Sequence, residues 1–262
     1  MPAEFNDNWA YGVDPTRREK YSLRQSRYKH QAAVINRLAG EARQEGRRLK
    51  LLDIGCLEGL SMRYLAAEQH ADQVDFHGTD LALRMHVLYQ PKAWKTLLQG
   101  DLMQGYPELP SGTFDVVLCE QVLEHLPELP LAMQTLDRLL KPGGTLICGV
   151  PTFPHGVHAL RDPIVNTLDR LRPPRKPRGH VQSFSRISFL KKLMQHTRLE
   201  VQDVRGFRIV SGGLTRPLEN LKWYWQLNCA IGKAVPGLCT EIQVVARKPL
   251  DAISEPAVRR AA

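Results

Sequence analysis

Residues 51–59 read Leu-Leu-Asp-Ile-Gly-Cys-Leu-Glu-Gly, an apolar strand that runs into a glycine-bearing turn and then into a helix beginning near Leu60. That order makes a crevice at the carboxyl end of a sheet, and it narrows the possible folds more than any other stretch of the chain. Glycine suits such a turn because it tolerates positive φ and lets a ligand approach the backbone with no Cβ between them. Taken alone, the motif leaves a purely structural turn open.

The rest of the chain agrees with an alternating α/β pattern. Short apolar runs at 49–54, 74–78, 96–99, 114–119 and 145–150 are separated by helical stretches, which implies a mostly parallel sheet covered on both faces. Two later runs, 201–207 and 241–246, bring the sheet to about seven strands. Before the first strand, Tyr21, Tyr28, Ala32, Ile35 and Leu38 recur at helical spacing, so residues 1–48 read as an N-terminal helical cap. The main domain spans 49–248 and carries two insertions, 151–183 and 211–238; both are expected to cover a substrate, and 249–262 reads as a disordered tail. Between the insertions, Ser185 is placed to cap a helix through its hydroxyl. Pro142, Gly143 and Gly144 are expected to end one helix and start the next strand.

The 262 residues suffice for one sizeable core with additions. No apolar run has the length of a membrane span, and the first residues do not look like a secretion signal, so a cytoplasmic location is expected. The five cysteines show no CxxC pairing and read as small core residues. The net charge of +9 is concentrated in Arg17, Arg18, Lys20, Arg24, Arg27 and Lys29, and again in Arg170, Arg172, Arg175, Lys176 and Arg178. Such clusters are either solvated faces or docking patches for an anionic partner.

A second signal supports the glycine turn. Asp80 ends the second strand about 20 residues after the turn, where a carboxylate accepts hydrogen bonds from both ribose hydroxyls of a nucleoside. Three further elements follow in order: Gly100-Asp101-Leu102, then Phe114-Asp115-Val116-Val117 leading to Glu124-His125-Leu126, then Leu140-Lys141-Pro142-Gly143-Gly144-Thr145-Leu146. With them the chain resembles the class I S-adenosylmethionine (AdoMet) methyltransferases, in particular the small-molecule branch called type 11. The likeness covers about residues 49–151.

The resemblance implies a Rossmann-like α/β fold, AdoMet as cofactor, and a role for each matching residue. Asp53, Gly55, Cys56 and Gly59 would pass under the methionine part, Asp80 with Leu81 would hold the ribose, and Asp101 with Leu102 would take the adenine. Glu120, at the end of the fourth strand, joins the cofactor set. The family usually has a glycine where this chain has Leu57, which narrows the pocket or shifts the turn.

Methyl transfer to a hydroxyl needs alignment, a water-poor site and a base. His125 and His180 are the candidate catalytic residues, with His155 and His158 behind them, because imidazole titrates near neutrality. For each histidine a capping, packing or idle surface role stands beside the catalytic one. Glu120 and Glu124 would share a face for a divalent metal if their segment were helical, but two rim carboxylates are more often solvated, and no metal is assigned.

The fourth strand lacks the Asn/Asp-Pro-Pro-aromatic element of amino-methylating DNA enzymes, and no Pro-Cys pair offers the thiolate of cytosine methylation. The arginine-rich stretch has no interleaved aromatics, so nucleic acid is not the expected partner. Residues 211–238 mix Trp223, Tyr224, Trp225 and Leu227 with Arg216, Lys222 and Lys233, which suits a pocket cover or peripheral membrane contact. The leading reading is O-methylation of a small-molecule, glycan or lipid-linked acceptor, which an anionic group would fit. The rivals are a degenerate AdoMet-binding regulator, a methyltransferase acting on RNA, and a nicotinamide-dependent oxidoreductase. Gly-Asp-Leu and Pro-Gly-Gly oppose the last of these, and oligomeric state is not legible.

Overall fold

The computed structural model describes residues 23, 25–154, 181–209 and 213–251. Arg17, Arg18, Lys20 and Arg24, the histidines His155, His158 and His180, the late arginine cluster and residues 252–262 lie outside the described residues.

Seven strands form one sheet in the order β3-β2-β1-β4-β5-β7-β6. They are β1 (Leu49–Ile54), β2 (Val74–Asp80), β3 (Thr96–Gln99), β4 (Phe114–Glu120), β5 (Leu140–Pro151), β6 (Glu200–Phe207) and β7 (Glu241–Arg247). The pairs from β3 to β5 are parallel, whereas β7 runs antiparallel between β5 and β6. The helices are α1 (Ser26–Gln44), α2 (Leu60–Leu65), α3 (Leu129–Leu139), α4 (Arg186–His196) and α5 (Lys222–Ala234). This is the Rossmann-like architecture the strand–helix alternation implies.

The central strands are apolar on both faces because both faces are covered. Successive residues alternate between two cores: Leu52, Val117, Cys119, Leu146 and Cys148 pack with α3 and α4 on one side. Leu51, Val116, Leu118 and Ile147 pack with α1 and α2 on the other. Helix α1 supplies Tyr28, Ala32, Ile35, Ala39 and Ala42 to that second core, the stripe expected of a helix laid along a sheet. Ser185 and Ser188 cap α4 reciprocally. Lys141, Pro142, Gly143 and Gly144 fall inside β5, which starts directly after α3; Gly143 at φ +75° makes the bend there, so no separate loop precedes the strand.

Helix α5 packs its Tyr224, Asn228 and Gly232 side inward. At Gly232 a Cβ would run into the backbone of Gly206 in β6, so only glycine lets helix and strand approach this closely. The described residues of 211–238 therefore sit against the β6 edge of the sheet. No described helix is long and apolar enough to cross a membrane.

Candidate functional site

The turn after β1 is built by backbone hydrogen bonds across to β2. The carbonyl of Thr79 accepts from the N–H of Gly55 at 2.8 Å and of Cys56 at 3.1 Å, which brings the turn beside the end of β2. Asp80 then fastens it: one carboxylate oxygen accepts from the N–H of Leu57 and the other from Ala82, each at 3.0 Å. Each oxygen keeps a lone pair, and Asp80 lines a cavity of about 290 Å³ at the carboxyl end of the sheet. Gly55 has φ +74°, and a Cβ there would strike Val122, so glycine is required on two counts. Gly59, expected at the cofactor, does not line the cavity; its φ of +74° opens α2, and a Cβ would press on Leu88, Trp94 and Tyr89.

Leu57 adopts φ +42°, in the left-handed region where an L side chain costs about 1–2 kcal/mol. Its side chain is half exposed at the cavity wall. Leu57→Gly is therefore expected to raise stability by up to about 1 kcal/mol, the relieved strain being partly offset by the freer unfolded chain. Affinity for S-adenosylhomocysteine should stay within about twofold, since the retained contact to Asp80 is a backbone one. Urea denaturation and calorimetry check the two halves; a large loss of affinity without unfolding would reveal a contact made by the leucine itself.

Asp53, Gly55, Cys56, Asp80, Leu81, Asp101, Leu102, Glu120 and His125 all line this one cavity. Asp101 caps the short turn Leu102–Gln104 by accepting from Met103 N–H at 2.9 Å. Asp53 is buried and accepts from the hydroxyl of Ser61. His125 lies at the rim with its side chain 40% exposed, 3.9 Å from the carboxylate of Glu124. The segment between Glu120 and Glu124 is not an α-helix: Gln121 has φ +55° and Leu123–His125 is a 3-10 turn. The i, i+4 face that a metal pair needed does not form, and no group of three ligands is assembled among the described residues.

Helix α1 brings residues to the cavity that the charge pattern concealed. Arg27, grouped in the sequence with a basic patch, is buried. Its Nη1 donates to Glu241 Oε2 at 2.8 Å and its Nη2 to the hydroxyl of Tyr28 at 3.0 Å. Glu241 is also gripped through both oxygens by Arg208, at 3.0 and 3.1 Å. Next to it, Gln243 donates to Glu120 Oε1 at 2.6 Å and accepts at its own Oε1 from His30 Nδ1 at 2.6 Å. Glu241 and Gln243 are polar residues two apart in an inner strand whose Ile242 and Val244 to Ala246 are apolar. That alternation was the available signal that α1 carries buried polar partners.

Burial works against the guanidinium charge of Arg27, but Tyr28, Glu241 and Glu120 outweigh it and hold the group protonated. The carboxyls at the cavity move the other way. Burial pushes Glu120 up to about 8, against the pull of Arg27 and the Gln243 hydrogen bond, and pushes Asp53 up to about 7 against Ser61. The folded, ligand-free chain thus keeps protons that the unfolded chain releases near 4.5 and 3.8. Its stability should decline as pH rises from about 4 to 8. Denaturation midpoints at pH 5 and pH 8 test this; a midpoint higher at pH 8, or a decline unaltered in Glu120→Gln and Asp53→Asn together, would contradict it.

Some of the unpartnered buried atoms belong to this site as well. Arg27 Nε, Gln31 Nε2, Glu58 Oε2, Glu120 Oε2 and Gln121 Nε2 make no hydrogen bond, and all five residues line the cavity. Donors and acceptors left open in one place are a site for a polar ligand. A glycine turn, a ribose-type acid on β2 and an acid after β3 fit AdoMet in order along the sheet.

Fold and site together define a class I AdoMet-type methyltransferase architecture. The chain belongs to the family described as "Methyltransferase domain", whose model matches residues 22–204. A ubiquinone biosynthesis O-methyltransferase from Xanthomonas campestris is 30% identical over 164 residues, 60% of this chain and 65% of that protein. The match thus spans just under two thirds of that relative. Among solved structures, an N-methyltransferase from Bradyrhizobium japonicum superposes with a TM-score of 0.52 at 15% identity, covering 87% of this chain and 97% of that one. A 1,6-didemethyltoxoflavin-N1-methyltransferase from Burkholderia thailandensis, solved with S-adenosylhomocysteine bound, gives 0.52 at 13% identity, covering 86% and 79%. These two likenesses show the fold, and a shared fold does not by itself choose the acceptor.

Proposed function

We propose that this protein transfers the methyl group of AdoMet to a hydroxyl oxygen of a small-molecule acceptor. The observation that carries the reading is the cavity itself, where the glycine turn and Asp80 adjoin a group of buried donors and acceptors with no hydrogen-bond partner. AdoMet, when bound, supplies an activated methyl on a sulfonium. Asp80 would take the ribose hydroxyls, Asp101 the adenine amino group, and Gly55 with Asp53 the methionine portion. Walls formed by Ile54, Leu118 and Leu126 keep water from the reacting atoms. The O-methyltransferase name of the 30% identical relative supports oxygen over nitrogen.

Calorimetry with AdoMet, S-adenosylhomocysteine and NADH separates methyl transfer from hydride transfer. Methyl-labelled AdoMet offered with catechol, a long-chain alkyl catechol, a primary amine and transfer RNA then reads the acceptor. AdoMet binding with label entering hydroxyl compounds supports the proposal. Binding without transfer to any compound in a cell extract would favour the regulator, and label in RNA the nucleic-acid rival.

A further inference from the structure

Glu120 and Arg27 face each other across a gap that neither fills. Glu120 Oε2 and Arg27 Nε stand 3.9 Å apart on side chains only 9% and 8% exposed, and neither atom makes a hydrogen bond. Their other polar atoms are engaged: Glu120 Oε1 by Gln243, and the two terminal nitrogens of Arg27 by Glu241 and Tyr28. What remains is one acceptor and one donor, buried atoms on two residues that line the cavity. A hydroxyl gives and takes a hydrogen bond at a single oxygen and so matches both.

Strand order sets which end of the cavity this is. Asp80 ends β2 and Asp101 follows β3 on one side of β1, whereas Glu120 ends β4 on the other side. A nucleoside held by the two aspartates would extend its far end across the glycine turn toward Glu120. Resting on the function proposed above, we propose that Glu120 is the general base of the methyl transfer and that Arg27 Nε holds the same acceptor oxygen. As the acceptor oxygen bonds to the methyl carbon, the carbon–sulfur bond breaks with its electron pair staying on sulfur. The hydroxyl proton moves to Glu120 Oε2. The products are the methyl ether and S-adenosylhomocysteine, and Glu120 then returns its proton to water.

The surroundings orient this carboxylate. Gln243 turns its NH2 toward Glu120 Oε1 and its Oε1 toward His30 Nδ1, so its amide bridges the two side chains. Beneath Glu120, a Cβ on Gly149 would collide with the carboxylate, so glycine in β5 makes the room it occupies. His125, by contrast, lies exposed at the rim. The charged and titratable groups facing Glu120 are Arg27 and Tyr28 from α1, Asp53 from β1, Cys148 from β5 and Glu241 from β7. Under burial the acid lies near 8, so the base form is gained as pH rises and kcat/KM should fall below about pH 8.

The test uses the whole chain with S-adenosylhomocysteine, and methyl-labelled AdoMet with catechol or, should catechol not react, the hydroxyl fraction of a cell extract. Glu120→Gln should leave S-adenosylhomocysteine affinity within about twofold while lowering turnover about 10²- to 10⁴-fold and removing the rise of kcat/KM toward pH 8. Glu120→Asp, with its carboxylate drawn back, should retain intermediate activity. Gln243→Leu, which removes the donor to Oε1, should move the pH limb upward, a change that a purely structural role would not produce. A loss of S-adenosylhomocysteine affinity of tenfold or more in Glu120→Gln would overturn the proposal in favour of a contact to the methionine ammonium. Full turnover in that variant would overturn it while leaving O-methylation standing; wild-type protein that binds AdoMet but methylates no hydroxyl would overturn both.

Discussion

Arg27→Met is expected to cost about 3 kcal/mol of folding stability, near the lower end of the roughly 3–5 kcal/mol range for breaking a buried ion pair from one side. The arginine is 7% exposed and holds Glu241, itself 1% exposed, together with the Tyr28 hydroxyl. Methionine fills much of the volume but leaves Glu241 Oε2 short of one donor. The loss stays at the lower end because Arg208 still grips Glu241 through both oxygens. Changing Glu241→Gln in the same chain removes the stranded charge, so the double variant should lose less than the sum of the singles. Urea denaturation of the three variants makes the comparison. A cost under about 1 kcal/mol, the size of an exposed pair, would mean that Arg27 reaches water in solution.

Asp80→Ala should weaken binding of AdoMet and S-adenosylhomocysteine alike by about 1.5–3 kcal/mol, the range for hydrogen bonds to a charged group, or roughly 10- to 150-fold. The two ligands differ only in the methyl group and the sulfonium charge, so equal losses would exclude the sulfonium as the partner of Asp80. The same carboxylate tethers Leu57 and Ala82, so part of the loss will come from a loosened turn. Asp80→Asn separates the contributions: one oxygen still accepts, but the other becomes a donor facing a hydroxyl, and affinity should fall between wild type and alanine. Calorimetry on variants whose denaturation midpoints show them folded gives the answer. Unchanged affinity in folded Asp80→Ala would remove the cofactor from this end of the cavity.

The parts of the site that could be read from the chain are those whose chemistry is local. Asp53, Gly55 and Cys56 sit at the end of a continuous apolar strand, and Asp80 at the end of the next, so their shared crevice follows from a parallel βαβ unit. Leu57 stood out by residue type, and its positive φ of 42° is the strain that type implies. Gly59 matched a motif position but serves the start of α2 and its packing on Trp94, because one turn uses glycine both for ligand access and for its own geometry.

Other features were decided only by contacts between distant segments. Arg27 looked like one more charge in a basic run, and a partner 214 residues away made it a buried one. Glu120 was placed at the cavity by its strand, but its free oxygen depends on Gln243 and the missing side chain of Gly149. Glu120 and Glu124 share no helical face because the chain between them turns.

The sequence by itself determined the seven strands, the crevice after β1 and the order of acids along it, since hydrophobic period, glycine position and strand-end acids act over a few residues. The antiparallel insertion of β7 between β5 and β6 was decided only by tertiary structure, and with it the placing of Glu241 and Gln243 against α1. Strand neighbours and buried partners are chosen by packing across the whole chain, and a carboxylate or guanidinium is driven to seek such a partner only once burial has taken its water away.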